Sequence, residues 1–187
     1  EGNARAERAW REYHGFIDAA RHHVTTEHGR GFYIDLHGHG HDIARLELGY
    51  HLSASQLAGD DESLNASTIV QRSSIRNLAE TAAATHAELL RGPRSLGTLL
   101  EEEGYPAVPS TSQPDPGTSP YFTGGYSTAR HGSRDGGTID AVQIEANRVG
   151  VRDTESNREA FAAVLAAVLS TYFEAHYGSP LAAAAVR

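Results

Sequence analysis

The chain has 187 residues, 39% of them apolar, which suits one domain with a core. Its formal charge is −8 with no basic patch, and no apolar run approaches the ~20 residues that span a bilayer, so neither nucleic acid nor membrane is an expected partner. Cysteine is absent and all 16 basic residues are arginine, which excludes disulfides, thiolate metal sites and lysine-based covalent chemistry and leaves the redox compartment open.

Ala6, Trp10, Tyr13, Ile17, Ala20 and Val24 recur at three- and four-residue steps and predict a helix over about 4–25. Its Tyr13 and Phe16 are expected in the core, and its His14, His22 and His23, like His86 and His176 on later helices, on the surface or locally satisfied. Phe32 to Leu36 is a short apolar run interrupted by one aspartate and reads as a buried strand. It runs into DLHGHGHD, Asp35 to Asp42, where glycines separate three histidines. Ala44 to Leu52 alternates by two and predicts a second strand. Residues 53–72 are polar and irregular. Ile75, Leu78, Ala82, Thr85 and Leu89 predict one helix ended by Gly92-Pro93, and Ser95 caps a short helix through Glu103.

Five prolines fall between Pro106 and Pro120, and Gly124-Gly125 and Gly136-Gly137 follow. The segment 106–137 therefore reads as a long loop, of a length usually reserved for function. Ile139 to Glu145 predicts a third strand, and Ser156 to Glu159 has the form of a capping box. Phe161, Leu165, Val168 and Tyr172 give a last helix, about 157–177, its buried stripe, and Gly178 and Pro180 stop it. Buried strands separated by amphipathic helices imply an α/β sheet covered on both faces, in which ligands bind beyond the carboxyl ends of strands. His37 and Glu145 both fall at such ends.

Imidazole is a good zinc ligand, and Asp35 or Asp42 could orient a ring. His37, His39 and His41 equally fit a polar loop whose histidines bond locally. Glu145, closing an apolar strand, fits a general base; it fits a structural ion pair with Arg148 or Arg152 as well. In the loop, Tyr121, Tyr126, Thr128, Arg130 and His131 stand beside glycines, and an arginine there could hold a substrate carboxylate.

The segments YHGFIDAARHHV, GFYIDLHGHGH, LRGPRSLGTLLEEEGYPAVPS, YFTGGYSTARHGS and IDAVQIEANRVGVRDT, in that order over most of residues 10–175, resemble the N-formylglutamate amidohydrolase family. That family is similar in fold to the zinc carboxypeptidases and to the aspartoacylase group. The resemblance implies a mixed, mostly parallel sheet between helices and a zinc-dependent amide hydrolase. Its substrate would be an N-acyl or N-formyl amino acid, or a small peptide-like amide, with a carboxylate. It also implies His37 as a zinc ligand and Glu145 as the base acting on a zinc-activated water. Arg130, Tyr126, Arg45, His39 and His41 are then expected to contact substrate, and Asp35 and Asn147 to orient the site.

The chain departs from the pattern in one respect. The family takes its first two zinc ligands, a histidine and a glutamate, well upstream of the DLH strand, and no HxxE stands before His37 here. The expectation is a single domain or the carboxyl-terminal portion of one hydrolase domain lacking its amino-terminal strands, either as part of a longer enzyme or with an amino-terminal segment of the same precursor as a separate, associated chain. The contrasting expectation is a binding or assembly module that keeps the fold without a complete metal site.

Overall fold

The computed structural model describes residues 2–178 and Leu181. Asn3 caps the first helix, α1 (Ala4–His28), by accepting from the backbone N–H groups of Arg5 and Ala6. Gly29, at φ 76°, ends it and donates its N–H to Thr25 O. Then follow β1 (Gly31–Gly38) and β2 (Leu46–Gly49). The second strand is shorter than Ala44–Leu52 because Arg45 and His51 are drawn into other contacts; His51 sits at φ 63°, which no strand continues through.

Residues 53–72, expected to be irregular, hold three short helices: α2 (Ala54–Leu57), α3 (Asp61–Asn65) and α4 (Ser67–Val70). The single helix expected over Ile75 to Leu89 is two, α5 (Arg76–Thr81) and α6 (His86–Arg91). Ala82 is extended, and Thr85 opens α6 with a capping box to Glu88. Ser95 caps α7 (Leu96–Glu102) as expected. The 106–137 segment contains a two-residue strand, β3 (Ala107–Val108), and a helix, α8 (Tyr126–His131). After β4 (Ile139–Ala146) and a turn over Arg148–Arg152 comes α9 (Glu155–Tyr177). Its cap is Thr154, which accepts from Asn157 N, not Ser156. Gly178, left-handed at φ 79°, follows it, and the expected stop at Pro180 lies outside the described residues.

The four strands form one open mixed sheet in the order β1-β4-β2-β3. β1 runs parallel to β4, β2 parallel to β3, and β2 antiparallel to β4. The carboxyl ends of β1 and β4 share an edge, as expected, since His37 pairs in register with Glu145. β1 was expected in the interior; among the described residues it is the outer strand.

Side chains alternate across a sheet, so its two faces differ in kind. Phe32, Ile34 and Leu36 share one face with Val142, Ile144, Leu46 and Leu48. That face packs against α7 and α9, where Leu96, Leu100, Phe161, Val168 and Tyr172 are buried. One carboxylate lies within this layer. Asp140 accepts from Ser133 Oγ (2.6 Å), Leu78 N (3.0 Å), Tyr177 OH (3.0 Å) and Asn77 Nδ2 (3.1 Å). Burial pushes its pKa up, against those four donors.

By length and composition α9 is apolar enough to cross a membrane, with a mean hydropathy of 1.2 over its best window, which corrects the expectation that no segment would be. Core helices pass the same test, and Phe161, Val168, Tyr172 and Tyr177 of α9 are buried.

Candidate metal centre

The other sheet face is polar. Asp35 and His37 of β1, Gln143 and Glu145 of β4 and Glu47 of β2 share it, since Asp35 pairs with Gln143, His37 with Glu145, and Glu145 with Glu47. Four of these five side chains belong to buried residues, and His37 is exposed. A sheet seldom buries so many ionisable groups on one face without partners or a ligand.

His39, His41 and Glu47 offer one ligand atom each, and the three atoms lie within 4.8 Å of one another. The backbone causes this convergence. His39 N donates to Ala146 O, extending β1 by one link past Gly38, and the chain then turns so that His41 faces back toward β2. His39 Nε2–H donates to Arg45 O at 2.7 Å, which leaves Nδ1 as the acceptor nitrogen; it accepts from His41 N at 3.1 Å, a bond that a metal ligated by Nδ1 would displace. A ring N–H held by a backbone carbonyl is how metal-ligating histidines are commonly oriented. His41 Nδ1 lies 2.8 Å from Glu47 Oε1, and Glu47 Oε2 accepts from Phe122 N at 2.9 Å. A cation here would displace the proton shared by His41 and Glu47. Glu47 is fully buried, while the His41 side chain is 23% exposed, so the group has one open side. Two imidazoles and a carboxylate form a donor set that suits zinc in a catalytic site, which uses three protein ligands and an open position. The donor chemistry therefore fits a divalent metal.

Glu47 received no weight in the sequence, although the signal was present: a carboxylate inside the apolar alternation of a strand, as with Glu145. Glu145 accepts from Gln143 Nε2 at 2.6 Å and makes no ion pair among the described residues. The structural alternative for it, an ion pair with Arg152, is not realised, because Arg152 donates to Ala146 O and His39 O.

His37 stands apart from the His39 group. It lies two strand spacings from Glu47, about 10 Å, with its Nε2 3.1 Å from Asp35 Oδ1. Asp35, buried, also receives Tyr33 OH and Thr128 Oγ1, each at 3.4 Å.

The segment Tyr121 to Gly125 straps the polar face. Tyr121 OH donates to Leu48 O at 2.5 Å, and Phe122 stacks on His41 with ring centroids 4.8 Å apart. Gly125 N donates to Gln143 Oε1, and His51 Nε2 donates to Gly125 O at 2.9 Å. Burial lowers the His51 pKa, which favours the neutral donor. The strap passes so close to β2 that a Cβ at Gly49 would overlap the Thr123–Gly124 peptide.

Three expected substrate contacts are engaged elsewhere. Arg130 pairs with Asp18 of α1 at 2.8 Å and lies over the Trp10 ring. Tyr126 is exposed beside Trp10 and His14. Arg45 is buried and donates to Gln113 Oε1 and Pro120 O, tying the proline-rich segment to the start of β2. Asn147 Nδ2 donates to Val149 O at 2.8 Å within the turn after β4. His14, on α1, is buried and satisfied rather than on the surface, its Nδ1 2.8 Å from His131 Nε2; His86 is buried too, and its Nδ1 donates to Leu64 O.

No protein family, curated protein or solved structure matches the chain.

Proposed function

We propose that this chain is part of a metal-dependent hydrolase that cleaves the amide bond of an N-acyl amino acid, or of a small peptide-like substrate with a carboxylate. Zinc is the metal its donor set favours. The observation that carries the reading is the pairing of Glu145 with Glu47, which puts a second carboxylate beside the His39–His41–Glu47 group on one polar face. The resemblance of DLHGHGH and QIE to the N-formylglutamate amidohydrolase family supports the same chemistry, as does the mixed α/β sheet between helices, and a carboxypeptidase-like topology belongs to this proposal. A divalent metal would supply Lewis acidity toward the amide carbonyl and toward water. Glu145 is the group placed to take the proton of the attacking water, oriented by Gln143. Asp35 holds His37 with its other ring nitrogen free, either as the ligand the resemblance implies or as a substrate-side group.

The test is metal titration by calorimetry with hydrolysis of N-formyl and N-acetyl amino acids as a second readout. Stoichiometric zinc binding lost in His41→Ala and Glu47→Gln assigns the metal to the His39 group. Loss in His37→Ala alone assigns it to the DLH histidine. No binding by any variant, with no hydrolysis, rejects the reading and leaves the binding or assembly module. One observation favours that alternative, the outer edge of β1, which is unpaired among the described residues.

A further inference from the structure

β1 is an apolar strand left half covered. β4 and β2 are buried along their whole lengths, whereas Phe32 and Ile34 are only partly buried and Leu36 is 57% exposed. Among the described residues β1 pairs with β4 alone, so its outer backbone groups have no ladder partner. Unpaired edges of this length are ordinarily blunted by charge, proline or a covering strand, and among the described residues none of these stands along Phe32–Leu36 beyond Asp35, which is buried.

The flanking helices repeat the pattern. α1 has 25 residues, of which only His14 is buried, and it exposes Trp10, Tyr13 and Phe16, the last by 75%. Tyr13 and Phe16 were expected in the core. A groove of about 320 Å³ lies between α1 and the first half of β1, floored by Phe32 and Tyr33 and walled by Phe16, Ile17 and Val24. A second groove, of about 420 Å³, lies between the last half of β1 and α9, lined by Leu36, Phe161, Leu165 and Leu169. Arg152 and Arg158 stand at this second groove. They donate only to backbone carbonyls, and neither has a carboxylate partner among the described residues.

We propose that the outer edge of β1 is a docking site for one extended segment, of about eight residues, from another polypeptide chain, which adds a strand to the sheet. An extended segment running along β1 passes both grooves, and its alternating side chains enter the α1 side and the α9 side in turn. A folded helix or a small ligand would fill one groove and leave the strand edge unpaired. The two guanidinium groups, bonded to backbone carbonyls but without a carboxylate among the described residues, select a segment with a carboxylate where it meets α9. A second copy of this chain supplies no such group: the residues its β1 would bring to the α9 side are Phe32, Ile34 and Leu36. This inference is independent of the proposed hydrolase activity.

The test uses the 187-residue chain and an array of labelled nine-residue peptides alternating valine and threonine, with glutamate, glutamine or lysine at each position in turn, read by fluorescence anisotropy. Glutamate-bearing peptides should bind best, and N-methylation of alternate backbone amides should abolish binding. Arg158→Glu, an exposed substitution, should weaken the glutamate peptides by about tenfold or more and strengthen the lysine peptides. Binding insensitive to N-methylation, or no binding by any member up to about 1 mM, overturns the proposal. Concentration-dependent dimers in sedimentation that disappear in Leu36→Lys would make a second copy the occupant and overturn it equally.

Discussion

Glu47 and Glu145 face each other across the antiparallel β2–β4 pair, and both are buried. Like charges directly opposite each other destabilise a sheet. Here the first is held by His41 and Phe122 N–H and the second by Gln143. A cation bound by His39, His41 and Glu47 would relieve the rest of the repulsion. Zinc at about a hundredfold above its dissociation constant should therefore stabilise the fold by about 2.7 kcal/mol, a rise in Tm of roughly 5–10 °C. The rise should be absent in Glu47→Gln and reversed by a chelator. Thermal melts that do not move with zinc, cobalt or manganese would remove the metal from this group.

Replacing Glu145 by glutamine keeps the shape of the side chain and removes its basicity. Amide hydrolysis should fall by about 100-fold or more, the loss typical of a positioned acid–base group. Zinc stoichiometry and Tm should be unchanged or slightly raised, because a buried carboxylate is neutralised. An Glu145→Gln enzyme with full turnover would return this residue to a structural role.

Much of the fold was legible in the sequence, and the exceptions share a physical cause. Phe32–Leu36 and Ile139–Glu145 stood out because short apolar runs bounded by glycine or polar residues have few alternatives to a buried strand. The break between α5 and α6 did not, since Ala82, Ala83 and Ala84 keep helical periodicity alive while the Thr85–Glu88 capping box restarts the helix. Periodicity marked the apolar face of α1 and could not say that Trp10, Tyr13 and Phe16 have nothing above them. On the polar face, the places of Glu145 and His37 at strand ends were readable. Glu47 was not, because its partners His39 and His41 reach it only through the turn after β1.

The four-donor arrangement around Asp140 should make it one of the least replaceable polar residues. Asn at this position would set an amide N–H₂ against donors such as Asn77 Nδ2 and Tyr177 OH, at a cost of about 2–4 kcal/mol in denaturant unfolding. The native pKa is raised, so the folded state holds its proton to higher pH than the unfolded state does. The sign follows: this group's contribution is most favourable at low pH and declines as pH rises from the ordinary aspartate value through the raised one. Stability that improved over that window in the wild type relative to Asp140→Asn would contradict the burial-driven shift.

The docking of α1 should be acid-sensitive. His131 lies against His14 and within 3.4 Å of Asp18, and its pKa is lowered to about 4, chiefly by burial, with Arg21, His14 and Arg130 adding to the effect and Asp18 opposing it. A histidine with a lowered folded pKa contributes stability that is complete above about 6.5 and lost as pH falls toward 4. Trp10, the one tryptophan of the chain, sits on α1 next to His14 and Tyr126 and reports the event directly. Its fluorescence should change within that window, before global unfolding, and His131→Phe should shift or abolish the transition. A pH-independent Trp10 signal between 7 and 4 would count against it.

The order of pairing in the sheet bears on how the molecule assembles. β1 and β2 lie close in sequence yet never touch; both pair with β4, so Gly31 waits for Ile139 and Leu48 for Ile144. The central strand is thus made roughly a hundred residues after the first, a separation that raises contact order and slows folding. Until β4 emerges from the ribosome, β1 has no native neighbour and β2 has only the two-residue β3, and any helper that shields nascent hydrophobic segments would have its longest task on this first half of the chain.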